Sequence, residues 1–146
     1  MKYLLDTNIC IYIRRNRPAQ VLTRFRSLLP GAAVMSVITY GELRYGAEKS
    51  SERARTVGIL EELIALIPVE SLTAAAGEAY GVVRATLSVQ GAMIGNNDLW
   101  IAAHARALGY VLITNNEREF RRIPGLVVEN WAEAYRGLPR DPYRSC

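Results

Sequence analysis

The strongest constraint on this chain is an alternation of two periodicities. Short apolar runs of strand length, at residues 2–5, 32–35, 67–69, 110–113 and 126–128, are separated by longer stretches with helical spacing. Val21, Leu22, Phe25, Leu28 and Leu29 share one helical face over residues 19–29. Val57, Leu60, Leu63 and Ile64 do the same within 52–66, and Ala76, Tyr80, Val83 and Leu87 follow i, i+4, i+7, i+11. Further helices are expected over 9–13, from Thr39 to about Lys49, over 98–108 with Gly109 as its stop, and over 116–121. Strands joined through helices pair in parallel, and a parallel sheet is covered on both faces. The expected fold is therefore α/β, three layers deep, with a central parallel sheet of about five strands covered by helices.

The 146 residues fit one domain, expected to span 1–135. Residues 136–146, with Gly137, two prolines and three arginines, are expected to form a loosely held tail. No apolar run approaches the roughly 18 residues of a membrane span. Asp6 and Asn8 interrupt the apolar start, so no secretory signal is expected. Cys10 and Cys146 belong to no metal-type pair, so the expectation is a cytoplasmic chain with reduced thiols and no membrane partner. Of 18 basic residues all but Lys2 and Lys49 are arginine, against 14 acids. Arginine suits bidentate phosphate contacts, which leans toward a nucleic-acid partner. A GC-biased genome writes the same excess, so composition alone does not decide.

Three acids carry the chemistry. Asp6 ends the first strand, Glu42 lies in the first turn of the helix after the second, and Asp98 opens the helix before the fourth. Singly, each is explained by the helix dipole and the free N–H groups of a helix start. Thr39-Tyr-Gly-Glu42 also has capping-box form, in which Glu42 is only the reciprocal member. Together, all three would emerge on the carboxyl side of one parallel sheet, where ligands bind. Clustered carboxylates repel one another, and a hard divalent cation removes that repulsion. Mg²⁺ or Mn²⁺ so held activates water and neutralises the charge of a phosphodiester under attack. Thr7 and Asn8 are placed to support Asp6, and Ser36 and Thr39 to support Glu42. Thr114-Asn115-Asn116 adds a polar cluster after the fourth strand.

These residues sit in segments that resemble the PIN-domain ribonucleases, most closely the VapC toxins of type II toxin–antitoxin pairs. The segments are LLDTNICIYI at 4–13, SVITYGELRYGAEKS at 36–50, IGNNDLWIAAHARALG at 94–109, TNNEREFRRIPGL at 114–126 and VENW at 128–131. They occur in family order and cover nearly the whole chain. The resemblance implies a Mg²⁺- or Mn²⁺-dependent endoribonuclease that leaves a 5′-phosphate and a 3′-hydroxyl. It also implies a cognate VapB-like antitoxin and a homodimer. It maps the family's acids onto Asp6, Glu42 and Asp98. Many members carry a fourth acid where this chain has Asn116, which supplies no charge. Glu119, three residues on, would share a helical face with Asn116 and is the candidate replacement. The wording around Thr114 resembles a subset that cuts the anticodon region of initiator tRNA, which makes tRNA the expected RNA substrate.

The remaining residues read more plainly. His104 is six positions from Asp98, off its helical face, and is expected to pack in the core. Cys10 is expected to be buried and inert. Trp100 and Tyr45 could stack on a base, though packing is the simpler role for Trp100. Arg14, Arg15, Arg17, Arg118, Arg121 and Arg122 are candidates for phosphate contacts. Two other functions compete. A PIN fold that binds RNA or protein without cutting is disfavoured by retention of all three acids. A phosphoacceptor receiver needs a lysine after a late strand, and this chain has none beyond Lys49.

Overall fold

The computed structural model describes residues 1–133; the segment 136–146 set apart as a tail lies outside the described residues. Strands β1 (Tyr3–Leu5), β2 (Ala33–Ser36), β3 (Val69–Glu70), β4 (Val111–Ile113) and β5 (Val128–Glu129) form one sheet in the order β3-β2-β1-β4-β5. Every pairing is parallel, with Tyr3 opposite both Ala33 and Val111, Met35 opposite Val69 and Leu112 opposite Val128. The helices are α1 (Thr7–Arg15), α2 (Ala19–Arg26), α3 (Val37–Glu48), α4 (Arg53–Leu66), α5 (Ala74–Val89), α6 (Asn96–Leu108) and α7 (Glu117–Phe120).

The strand pleat sends neighbouring residues to opposite faces, and each face here has its own core. Leu5, with Ile9, Ile13, Met35, Leu63, Ile113 and Trp131, packs beneath α1, α2 and α4. Leu4, with Val34, Val83, Leu87, Leu99, Leu112 and Phe120, packs beneath α5, α6 and α7. Leu4 and Leu5 are both fully buried, each contributing about 1.5–3 kcal/mol relative to exposure. This is the three-layer α/β architecture that the alternation predicts.

Element boundaries move for identifiable reasons. Helix α1 runs to Arg15 and ends at Asn16 in the left-handed conformation, so Arg14 and Arg15 form its last turn instead of a loop. Helix α2 stops at Arg26, because Ser27 turns its hydroxyl onto the Arg24 carbonyl at 2.6 Å and Leu28 closes a turn on Phe25. Strand β5 begins at Val128, later than expected. Residues 123–126 are taken up by a turn with Gly125 at φ 76° and the Leu126 N–H on the Ile123 carbonyl. The largest revision concerns α3. It begins at Val37 with Ser36 as its cap, the Ser36 Oγ accepting from the Ile38 N–H at 3.1 Å. The expected Thr39–Glu42 capping box does not form, and Glu42 sits in the second turn of the helix, released from capping.

Candidate active site

The strand order reverses direction around β1, so the crevice between the carboxyl ends of β1 and β4 is the topological switch point of this sheet. Asp6 follows β1 and Thr114 follows β4, and the two side chains meet there. The Thr114 hydroxyl donates to Asp6 Oδ2 at 2.8 Å, and the Thr7 N–H donates to Oδ1 at 2.7 Å. Asp6 thereby caps α1 and is locked at both oxygens. It is buried at 5% exposure, and burial together with the nearby Glu42 charge holds its carboxyl above the ordinary value.

Glu42 arrives from α3. Its Oε1 accepts the Thr7 hydroxyl at 3.0 Å, and that hydroxyl lies 3.1 Å from the Thr39 hydroxyl. Thr39 is one helical turn before Glu42, on the same face. Burial raises Glu42, and the Asp98 charge adds to this. Asp98 lies in the first turn of α6, after the side-chain-free cap Gly95. Burial first, then the charges of Asp6 and Glu119, push it up to about 6.

Asp6, Glu42 and Asp98 thus occupy one electrostatic neighbourhood, and Glu119 of α7 joins it, half-buried. None of the four has a salt bridge among the described residues; the ion pairs there involve Glu48, Glu52, Glu117 and Glu129. The donor set is hard oxygen throughout and carries uncompensated negative charge, which suits Mg²⁺ or Mn²⁺. Among the described residues no group of three or more His, Cys, Asp or Glu side chains is placed to hold a metal ion together. A hard cation that keeps most of its water needs only one or two direct carboxylates.

The supporting residues divide. Thr114 touches Asp6 directly and also accepts the Asn116 N–H at 2.9 Å, which sets the turn into α7. Asn116 is the N-cap of α7, and its side chain makes no capping bond. Asn8 is exposed, on the outer side of α1. Ser36 turns away from Glu42. Fully buried, it caps α3 and lies 2.8 Å from His104 Nδ1. Ser36 Oγ and Nδ1 share one hydrogen bond, whose donor is set by the imidazole tautomer. Burial keeps His104 neutral by lowering its pKa. This pair ties α6, which carries Asp98, to the start of α3, which carries Glu42. Sequence spacing misses it, because i+6 on α6 points away from Asp98 and into the core.

Trp100 stacks on Tyr80 at 3.9 Å between ring centroids, so its face is covered. Tyr45 is exposed, with Lys49 over its ring. Cys10 is buried against the Leu5 carbonyl, and burial pushes its thiol far up, out of reach of ionisation. Of the arginine candidates, Arg121 is held by Glu117 at 2.7 Å and Arg122 reaches the Met93 carbonyl, while Arg17 and Arg118 are exposed.

Comparison with known proteins finds likenesses over most of the chain. Residues 3–126 match the PIN domain family. The chain is 43% identical over 131 residues to "Ribonuclease VapC2" of Haemophilus influenzae, covering 90% of this chain and 98% of that one. It is 44% identical over 132 residues to "tRNA(fMet)-specific endonuclease VapC" of Shigella flexneri, covering 90% and 99%. Among solved structures, VapBC-1 from nontypeable Haemophilus influenzae superposes with a TM-score of 0.85 at 44% identity, covering 91% of this chain and 100% of that one.

Proposed function

This chain belongs to the PIN-domain family, and on that premise we propose that it is an endoribonuclease dependent on Mg²⁺ or Mn²⁺. It acts as the toxin of a toxin–antitoxin pair on structured RNA, with the anticodon region of initiator tRNA as its target. The observation that carries this reading is the acidic crevice: Asp6, Glu42 and Asp98, with Glu119 beside them, share one region without a basic partner among the described residues.

Asp6 and Asp98 would hold the cation, with Glu42 direct or through water. When bound, the ion supplies Lewis-acid polarisation of the scissile phosphate and acidifies water at neutral pH. The chain's own residues supply the orientation. Asp6 has both oxygens held by Thr7 and Thr114, which fixes its rotamer. Glu42 is held at one oxygen by Thr7, which leaves the other to accept a proton from water or to bind a solvated ion. Asp98, half-buried at the start of α6, is free to adjust. Asn116, next to the crevice, offers a neutral amide to a water or to the leaving ribose. No histidine base serves this site, since His104 is buried in the core.

The structural relative is a VapBC assembly, and a VapB-like antitoxin is accordingly the proposed partner, with a homodimer as the proposed assembly. The proposed compartment is the cytoplasm; among the described residues no helix is long and apolar enough to cross a membrane. The test is incubation of labelled RNA with the parent protein in Mg²⁺, the parent in EDTA, and an Asp6→Asn variant in Mg²⁺. Cleavage by the first alone is expected, and equal cleavage in all three would overturn the reading.

A further inference from the structure

Away from the carboxylates, α1 and α4 enclose an open cleft of about 390 Å³ lined by Arg14, Arg15, Arg55, Glu52, Thr56 and Ile59. Three guanidinium groups face one carboxylate. Arg14 and Arg15 have no ion pair among the described residues, and there Arg55 pairs with Glu52 alone, at 3.4 Å between exposed side chains. By contrast, Glu48 takes both Arg44 and Arg53. Unpaired cations in a concavity lined by only one aliphatic side chain suit a polyanion better than an apolar peptide.

The position of the cleft relative to the acids is set by one helix. Asp6 caps the N-terminus of α1, and Arg14 and Arg15 form its last turn. About eight or nine residues of helix separate them, roughly 12–13 Å. A nucleic-acid strand advances about 3.4 Å per nucleotide, so that span corresponds to a few nucleotides. Resting on the ribonuclease reading above, we propose that this cleft binds the phosphate backbone of the RNA substrate a few nucleotides from the scissile bond. Arg15 and Arg55 provide forked donors to phosphate oxygens, Thr56 provides a hydroxyl, and the half-buried Arg14 supplies charge from beneath. Such contacts position the strand without reading its bases. The acidic crevice repels a polyanion, so a separate cationic anchor is what lets the substrate approach it.

The experiment measures binding of a fluorescein-labelled anticodon stem–loop RNA in EDTA, and its cleavage in Mg²⁺, for the parent and for Arg15→Gln, Arg55→Gln and the double variant. Arg26→Gln, at an exposed position on α2, is the control. The double variant is expected to bind about tenfold more weakly at about 0.15 M salt, with the slope of log K against log salt reduced by roughly 1.4 for two lost phosphate contacts. Its KM should rise with kcat unchanged, and Arg26→Gln should match the parent. If the parent cuts this RNA while the double variant keeps its affinity and salt slope, the cleft proposal is overturned and the ribonuclease reading stands. If the parent neither binds nor cuts RNA, both fall. If the variants lose only affinity for a co-purified protein partner, the cleft is a protein interface and the proposal is wrong.

Discussion

Replacing Asp98 by asparagine should make this protein more stable and less active. Asp98 is pushed from the ordinary 3.8 to about 6 by burial and by Asp6 and Glu119. At about 1.4 kcal/mol per tenfold change in protonation equilibrium, that displacement is worth about 3 kcal/mol. The side chain is only half-buried, so solvent screening reduces this to about 1–1.5 kcal/mol. A carboxyl raised in the folded state makes that state hold more protons than the unfolded one between about pH 4 and 6. Stability therefore falls as pH rises through that window, and the full penalty stands above it. An asparagine side chain has nearly the same shape and no charge, so the Asp98→Asn variant escapes the penalty. Thermal melts followed by circular dichroism in EDTA should show the variant melting about 3–6 °C higher at about pH 7.5. The gain should shrink steadily below about pH 6 and vanish near pH 4. Adding Mg²⁺ should narrow the gap from the other side, since a cation at about ten times its Kd stabilises the parent by about 1.4 kcal/mol. A variant no more stable than the parent at neutral pH, or a gain that grows toward acid, would refute the account of the site as a cluster of strained, mutually repelling carboxylates.

Other expectations follow from the same geometry. Thr114→Val removes the hydroxyl that donates to Asp6; it should cost about 1.5–3 kcal/mol in urea unfolding at neutral pH and weaken Mg²⁺ binding measured by calorimetry. His104→Ala empties a buried position and strands the Ser36 hydroxyl, so unfolding should show a loss of about 2–4 kcal/mol. Glu119→Gln should lower the pKa of Asp98 as read by NMR titration in EDTA, because a carboxylate that repels it is gone. The same substitution should reduce cleavage about tenfold or more at limiting Mg²⁺ if Glu119 contributes charge to the cation site.

Much of the architecture was written in the chain order. Alternating periods of strand and helix, with continuous apolar runs at β1, β2 and β4, leave few options beyond a covered parallel sheet, and burial of Leu4 and Leu5 on opposite faces follows from the pleat alone. Asp6 and Thr114 were legible for a related reason: residues just past parallel strands converge on one edge, wherever they lie in sequence. Local signals failed where two local solutions compete. Thr39–Glu42 has the lettering of a capping box, but Ser36 supplies the cap three residues earlier, so Glu42 is free for Thr7.

What only tertiary structure decided is the set of long-range pairings. Thr7 turned out to serve Glu42 through its hydroxyl as well as Asp6 through its N–H, a choice set by where α3 crosses α1. Ser36 turned away from the acids toward His104 for the same kind of reason. Glu119, a candidate from its spacing to Asn116, is brought near Asp98 only by the fold, and Arg55 acquired meaning only through facing Arg14 and Arg15 across a cleft. Periodicity is a property of neighbours along the chain and survives in the sequence. Charge repulsion and hydrogen bonding depend on distances of a few ångströms between distant segments, and those distances come into being only when the layers pack.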